Sequence, residues 1–581
     1  MRAVPVVTPW SSRVGPTGAP AGTRGEAPVA IAPASRDAAF LLAARLDAAG
    51  APVDAYDGKL DRPRVFAAAL DDDALDALAR LDQPPIEPVA AWDLAEGIGP
   101  AGVPTDRVAD AGPNGLHGRC VNLPTRGVTG VNWSAREHCY RHAPEEYAAI
   151  HFHADDLEDA GWEPDLALTV PDGLPSGVYA VRLRAGDAED HVPFAVLPPR
   201  GTATARALVL LPTASYMAYG NDHQGTDLGL AELVLGHTPV LSPSDIVLAT
   251  RRDLGGSLYD SHQDGSGNCY SSRLRPLLTM RPRYLSPIAN GPWGFVAELY
   301  LVDWLVAQGM PFDVATDEDL HAEGVDLLSR YRVVVTGAHP EYTSHRMLDA
   351  LEEYACSGGR LMYLGGNGFY WVTEFHPEKP HVIEVRRGIA GIRAWEGQPG
   401  EHHLASTGGL GGLWRHHGRA PQKLVGVGFA AEGLDESSHF RRTPDADDPR
   451  GAWVFEGVDG ETFGAHGLWG GGAAGLELDR YDLALGTPPH ALLLAASEGH
   501  TDMYLRVVEE VPVTRPGLGG TQDPDVRADL VLFGTPGDGA VFSAPSIAWS
   551  ASLSTNGYDN DVSRITRNVL DRFLAEGPLP G

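Results

Sequence analysis

The chain has 581 residues, too many for a single hydrophobic core, so two or three domains are expected. Its formal net charge of -32 repels a phosphate backbone and excludes nucleic acid as a natural partner. With 43% hydrophobic residues and no apolar run of about eighteen, the composition is globular and nothing in it spans a bilayer.

The start, Met1-Arg2-Ala3-Val4, lacks the apolar stretch of a secretory signal. Cys120, Cys139, Cys269 and Cys356 are far apart, which suits reduced thiols in a cytoplasmic protein and argues against structural zinc. Residues 1–200 read as a β-rich domain, with sandwich strands mainly in 1–55 and 147–198 and an insert at about 60–140. Within it, Asp37–Gly50 and Asp71–Leu81 predict short helices. Leu166–Val170, a turn at Pro171-Asp172-Gly173, then Gly177–Leu183 and His191–Leu197 predict strands joined by tight turns. Pro198-Pro199-Arg200-Gly201 reads as a hinge.

From Ala205 the pattern changes. Ala207–Leu211 is a continuous apolar run, as a parallel strand covered on both faces requires. Phe295–Gln308 predicts an amphipathic helix, Phe312–Ala315 and Arg332–Thr336 predict strands, Ser344–Cys356 a helix, and Arg360–Leu364 another strand. Strands alternating with helices imply a doubly wound α/β sheet over 201–581. Residues 400–555 are Gly- and His-rich and read as elaborations of that domain.

Ligands of open α/β sheets bind outside the carboxyl ends of the strands. Those ends carry Tyr216, Tyr219, His339, Glu341, Tyr342, Asn367, Tyr370 and Trp371. No G-x-S-x-G elbow and no H-E-x-x-H is present, which closes the usual serine and zinc routes. Cys356 falls late in a helix and reads as a buried structural thiol. What remains is a set of hard oxygen donors, which favour a hard, highly charged ion such as iron over zinc. A free tyrosine ionises near pH 10, so only a strong Lewis acid would hold it as phenolate at neutral pH. Taken singly, each tyrosine reads more readily as a core or rim residue than as a ligand. The pairs His402-His403 and His416-His417 read as loop residues.

Four motifs in order, Leu211-Pro-Thr-Ala-Ser-Tyr-Met-Ala-Tyr-Gly-Asn221, Thr336-Gly-Ala-His-Pro-Glu-Tyr342, Gly365-Gly-Asn-Gly-Phe-Tyr-Trp371 and Gly411-Gly-Leu-Trp-Arg415, resemble the large (beta) subunit of the N,N-dimethylformamidase family. The resemblance runs from about Trp92 to the C-terminus. It implies an immunoglobulin-like front sandwich followed by an amidotransferase-like α/β domain, and hydrolysis of an N-substituted formamide to formate and an amine. It also implies one Fe(III) held by Tyr219, Tyr259 and Glu341, with His339, Asn367 and Glu477 as catalytic neighbours. Two departures stand out: residues 60–140 are too few for the lectin-like insert of that family, and the family's separate small subunit is not part of this chain. On this reading Glu477 is the general base, Asn367 and His339 steady the oxyanion, and Phe369, Tyr370, Trp371 and Trp414 wall the pocket. The competing bland readings make Glu477 a surface carboxylate paired with Arg386 or Arg387, and Asn367 a turn cap. Tyr216 and Tyr342 are nearby alternative phenols, and Tyr259 could be an exposed loop residue. A homo-oligomer is expected. Other functions to weigh are a hydrolase of a bulkier amide or urea, and a non-catalytic module in which Trp371, Trp395 and Trp414 stack on sugar.

Overall fold

The computed structural model describes residues 11–14, 20–23 and 39–579, apart from 49, 51, 82–85, 228, 230, 389, 392–393 and 512–517. The start Met1–Val4 lies outside the described residues. The chain forms two compact units, residues 1–98 with 105–154, and 99–104 with 155–581.

The first unit is built from short ladders. A three-stranded antiparallel sheet joins Gly58–Asp61, Ala149–Phe152 and Thr125–Val128. Its small core gathers Ala90, Trp92, Leu94, Val108 and Ile150. Asp72–Ala79 is a helix as predicted, its first turn capped by the Asp71 carboxylate, which accepts from Ala74 N–H. The helix expected at Asp37–Gly50 does not form in its described part. Arg45–Leu46 instead pairs with Pro52–Val53 as a two-residue ladder.

The second unit is mixed α/β around one large sheet. Its strands in chain order, besides the two-residue Leu505–Arg506, are β1 Ala207–Leu211, β2 Asp313–Thr316, β3 Val333–Thr336, β4 Arg360–Tyr363, β5 Gly428–Arg442, β6 Thr462–Phe463, β7 Ala474–Arg480, β8 Leu492–Glu498, β9 Asp529–Thr535 and β10 Gly539–Ser543. The spatial order is β2-β1-β3-β4-β10-β9-β8-β5-β6, with β7 and Leu505–Arg506 pairing β5 off this path. From β2 to β10 every pairing is parallel, and from β10 to β6 every pairing is antiparallel.

Alternation of side chains along the parallel strands, which are covered on both faces, explains why their central residues are apolar. Val209, Leu211, Val333 and Val335 face helices α1 (Phe295–Ala307) and α3 (Asp561–Leu574), where Leu301, Trp304, Ile565 and Phe573 meet them. Leu208, Leu210, Val334 and Leu361 face the opposite way, onto α2 (His345–Cys356) through Leu348, Leu351 and Tyr354. Each fully buried Val or Leu contributes about 1.5–3 kcal/mol, so both faces are strongly held. Helix ends are satisfied locally: Ser344 caps α2 and Asn560 caps α3. At the other end of α3, the buried Arg360 guanidinium donates to the carbonyls of Arg572, Phe573 and Ala575.

Three expectations are corrected here. Gly177–Ala185 and Ala188–Val196 do form a hairpin, but it clusters with the second unit. Leu166–Val170 is not a strand: it has no ladder partner, and Leu166, Leu168 and Val170 stand exposed between Pro164 and Pro171. Cys356 is exposed at the end of α2, not buried, and all four cysteines are free thiols. Among the described residues no helix is long and apolar enough to cross a membrane.

Candidate functional site

The connection leaving β1 goes to β2 on one side, and the next strand, β3, lies on the other side of β1. The carboxyl ends of β1 and β3 therefore flank a switch point, where a crevice opens and ligands bind. Tyr219 follows β1 through the short helix Thr213–Ala218, and His339 and Glu341 follow β3.

Local hydrogen bonds bring the third segment in. Leu258 N–H donates to Ala218 O at 2.8 Å, so the Gly255–Asp260 loop lies against the helix that ends at Tyr219. Ser257 accepts from Tyr259 N–H at 3.1 Å, and Asp260 accepts from Ser257 N–H at 2.7 Å, which fixes the loop's shape. The Ser215 hydroxyl accepts from Glu341 N–H at 3.1 Å, tying the β3 turn to the same helix.

The result is a tight cluster of oxygens. Tyr219 Oη lies 2.8 Å from Tyr259 Oη and 2.8 Å from Glu341 Oε2. Tyr259 Oη lies 2.9 and 3.1 Å from the two oxygens of Glu341. Oxygen ligands about 2.0–2.2 Å from one ion stand roughly 2.8–3.1 Å apart across a right angle, so this donor set could hold a cation. Glu341 is buried and so is Tyr259, which removes the reading of Tyr259 as an exposed loop residue. Tyr219 is half-buried because its ring also lines a cavity. Burial, and after it the negative charge of Glu341, pushes both phenols well above their ordinary range. Phenolates here would therefore require a strong positive charge among them.

The remaining predicted residues converge on the same point. His339 Nε2 is 3.1 Å from Glu341 Oε2 and 3.3 Å from Tyr219 Oη, while Nδ1 is 3.0 Å from Gly366 O. Burial lowers the basicity of this imidazole, but the Glu477 and Glu341 carboxylates overcome that and lift it to about 10. Glu477 Oε2 lies 3.2 Å from His339 Nδ1 without the alignment of a hydrogen bond, because that ring nitrogen is directed at Gly366. Glu477 is buried, and that burial raises its carboxyl well above the usual range despite the nearby His339. It is no surface group: Arg386 pairs with Glu384, and Arg387 donates to Tyr342 Oη at 2.7 Å.

Asn367 combines both of its readings. Its φ of 50° is left-handed, and its side-chain amide donates to Glu341 Oε1 at 3.3 Å. Of the alternative phenols, Tyr342 is taken by Arg387, and Tyr216 packs edge-on to Phe295 with its hydroxyl unpartnered. The expected pocket wall is corrected. Phe369, Tyr370, Trp371 and Trp414 belong to the α2-side core. His402 and His417 each face a loop carbonyl, Gly397 O and Gly411 O.

Several participants were missed from the sequence. Trp293 packs edge-on against Tyr219 and Trp469 and tilted against His339, with ring centroids 5.4, 5.9 and 5.2 Å apart. The buried Arg387 guanidinium lies 4.4 Å from the ring centroids of both Tyr259 and Trp371. Asp479 accepts from Asn367 N–H at 2.7 Å and from Tyr363 Oη at 2.6 Å, which pins the turn carrying Asn367. Glu432 is the cross-strand partner of Glu477, and burial lifts its carboxyl to about 7. The signals were weak: Glu477 and Asp479 alternate along one strand, and Trp293 sits between Pro292 and Gly294 just before a helix.

A cavity of about 340 Å³, part of it open to solvent, adjoins the cluster through Tyr219 and Trp293. Its far wall includes Asp222, whose carboxyl is lifted to about 7 by burial and by the charge of Asp260.

Comparison with known proteins points the same way. Residues 125–560 match the family profile described as N,N-dimethylformamidase beta subunit-like, C-terminal. The N,N-dimethylformamidase beta subunit of Paracoccus aminophilus is 47% identical over 528 residues, covering 90% of this chain and 69% of that protein. The beta subunit from an Alcaligenes species is 48% identical over 528 residues with the same coverage. A ThuA-like structure from Bacteroides uniformis aligns with 48% of this chain and 82% of its own at 11% identity and a TM-score of 0.25, too distant to carry any argument. On the family match and the two beta subunits, this chain belongs to the N,N-dimethylformamidase beta-subunit family.

Proposed function

We propose that this chain is the catalytic subunit of an amide hydrolase that cleaves small N-substituted formamides, dimethylformamide among them, to formate and an amine. The relatives' names supply the substrate, and the observation that carries the chemistry is the convergence of Tyr219, Tyr259 and Glu341 at the switch point. Those three residues would hold a mononuclear Fe(III), which two phenolates and one carboxylate neutralise. When bound, such an ion polarises an amide carbonyl and acidifies water.

The chain's own residues account for the rest. Water oxygen attacks the amide carbon while Glu477 takes one of its protons. The C–N bond then breaks as Glu477 returns that proton to nitrogen. Glu477 must take the proton as a carboxylate and return it as an acid; burial favours the acid form, and the charge of His339 beside it favours the carboxylate. Asn367 Nδ2 and His339 Nε2, which lie against the Glu341 oxygens, would donate to oxygen that gains charge beside them, each worth roughly 3 kcal/mol of barrier. Trp293 covers the cluster and keeps bulk water away from it.

The parallel strand order supports an amidotransferase-like reading of the second unit, while the immunoglobulin-like reading of the first rests on the family resemblance. Relatives named as beta subunits support a separate small partner chain and a higher assembly. Four free thiols support a cytoplasmic location. The decisive test is elemental analysis with visible absorption. Tyrosinate bound to Fe(III) is coloured, so the purified chain should carry one iron and a charge-transfer band. Tyr259→Phe should bleach that band and lower iron occupancy, and an uncoloured, iron-free protein that still releases formate would end this reading.

A further inference from the structure

Hydrolysis of a substituted formamide yields two products of opposite charge near neutral pH, a carboxylate and an alkylammonium ion. The oxygen cluster with His339 and Asn367 is built around a carbonyl. Its oxygens would be taken up by the metal ion, which leaves none of them to receive an alkylammonium ion. The adjoining cavity differs in kind. Its walls include Tyr216, Tyr219, Tyr284, Trp293 and Phe295, together with the carboxylate of Asp222, and its lining contains no cationic side chain. Aromatic faces around a single negative charge are the usual receptor for methylated ammonium groups, because the ring quadrupole attracts a weakly hydrated cation.

Tyr216 is only 3% exposed and its hydroxyl is buried, so it is the ring that contributes to the wall. The other polar walls are already engaged. Tyr284 donates to Asp245 at 3.0 Å, and Thr279 accepts from Asn221 N–H at 3.1 Å. Asp222 Oδ1 accepts from Gln224 N–H at 3.0 Å, which holds the carboxylate in place at the wall.

We propose that the cavity beside Tyr219 is an alkylammonium site, which receives the amine released from the amide and holds it between Asp222 and the aromatic walls. The inference rests on the hydrolase reading for the origin of its ligand, but cation binding can be measured without turnover.

The test is calorimetric titration of the metal-loaded chain with tetramethylammonium chloride, and with tert-butanol as a neutral ligand of similar size. The wild-type chain should bind the cation at least tenfold more tightly than the alcohol. Asp222→Asn keeps an oxygen for the Gln224 N–H and should erase most of that preference. Phe295→Leu, which keeps apolar volume but removes a ring, should reduce it independently should the Asp222 variant fold poorly. Equal binding of cation and alcohol, or an unchanged preference in Asp222→Asn, overturns the site. A chain that binds the cation as expected yet releases no formate keeps the site and overturns the hydrolase reading instead.

Discussion

Asp479→Ala tests whether the catalytic turn is held from behind. The Asp479 carboxylate is fully buried and accepts two bonds, from Asn367 N–H at 2.7 Å and from Tyr363 Oη at 2.6 Å. Tyr363 in turn accepts from Gly368 N–H at 2.7 Å, so one acid fixes both sides of the left-handed Asn367. Removing it leaves two buried donors unsatisfied, at about 1–3 kcal/mol each, or roughly 2–6 kcal/mol in all. Asp479→Asn retains one acceptor oxygen and should lose about 1–3 kcal/mol. Asn367 reaches Glu341 only through this turn. A displacement on the order of 1 Å there should lower kcat by roughly a hundredfold. Urea unfolding followed by tryptophan fluorescence measures the first effect, and formate release measures the second. A wild-type urea midpoint for Asp479→Ala refutes the anchoring argument. A lowered midpoint with wild-type kcat refutes the link to catalysis.

Other expectations follow from the same geometry. Glu477→Gln keeps the shape of the site, so iron content should persist while kcat falls by roughly 10²–10⁴, the usual range for loss of a general base. Wild-type turnover in that variant would pass the proton transfer to another group, with Glu432 next in line. His500 supplies a pH test away from the site. Burial, and after it the charge of His439, lowers its imidazole to about 4, while Ser497 Oγ lies 2.7 Å from Nε2. The unfolded chain takes up this proton below about pH 6.5 and the folded chain only near 4. Its contribution is therefore intact above 6.5 and is lost as pH falls through that window, by an amount on the order of 3 kcal/mol. The stability of His500→Gln should fall less steeply between pH 6.5 and 4, and parallel curves would show that His500 is not the group responsible.

What the sequence made legible was local. Ala207–Leu211 and Arg360–Leu364 are short, largely apolar runs bounded by turns, as strands covered on both faces require. The motif residues follow strand ends, so the topology alone brings Tyr219 and Glu341 to one crevice. Leu166–Val170 shows the limit of alternation, since a strand needs a neighbour and this segment has none. Long-range placement was equally hidden. Nothing in Gly539–Ser543 says that it lies between β4 and β9, because that depends on which sheet edge remains open after the other strands have paired. Trp293, Arg387 and Asp479 contact the site only through tertiary structure, and each reads alone as an ordinary loop, surface or strand residue.

That interior position of β10 has a consequence for biosynthesis. Strands β1 to β4 leave the ribosome long before their neighbour exists, and at roughly 5–20 residues per second the wait from Tyr363 to Gly539 is on the order of ten to thirty seconds. Through that interval β4 presents a bare, apolar rim able to pair with another nascent chain. Glu477, delivered by β7, also arrives late, so the proposed base is missing from a half-made polypeptide. Yield in a heterologous host should therefore respond more to slower growth and chaperone supply than to any substitution near Tyr219.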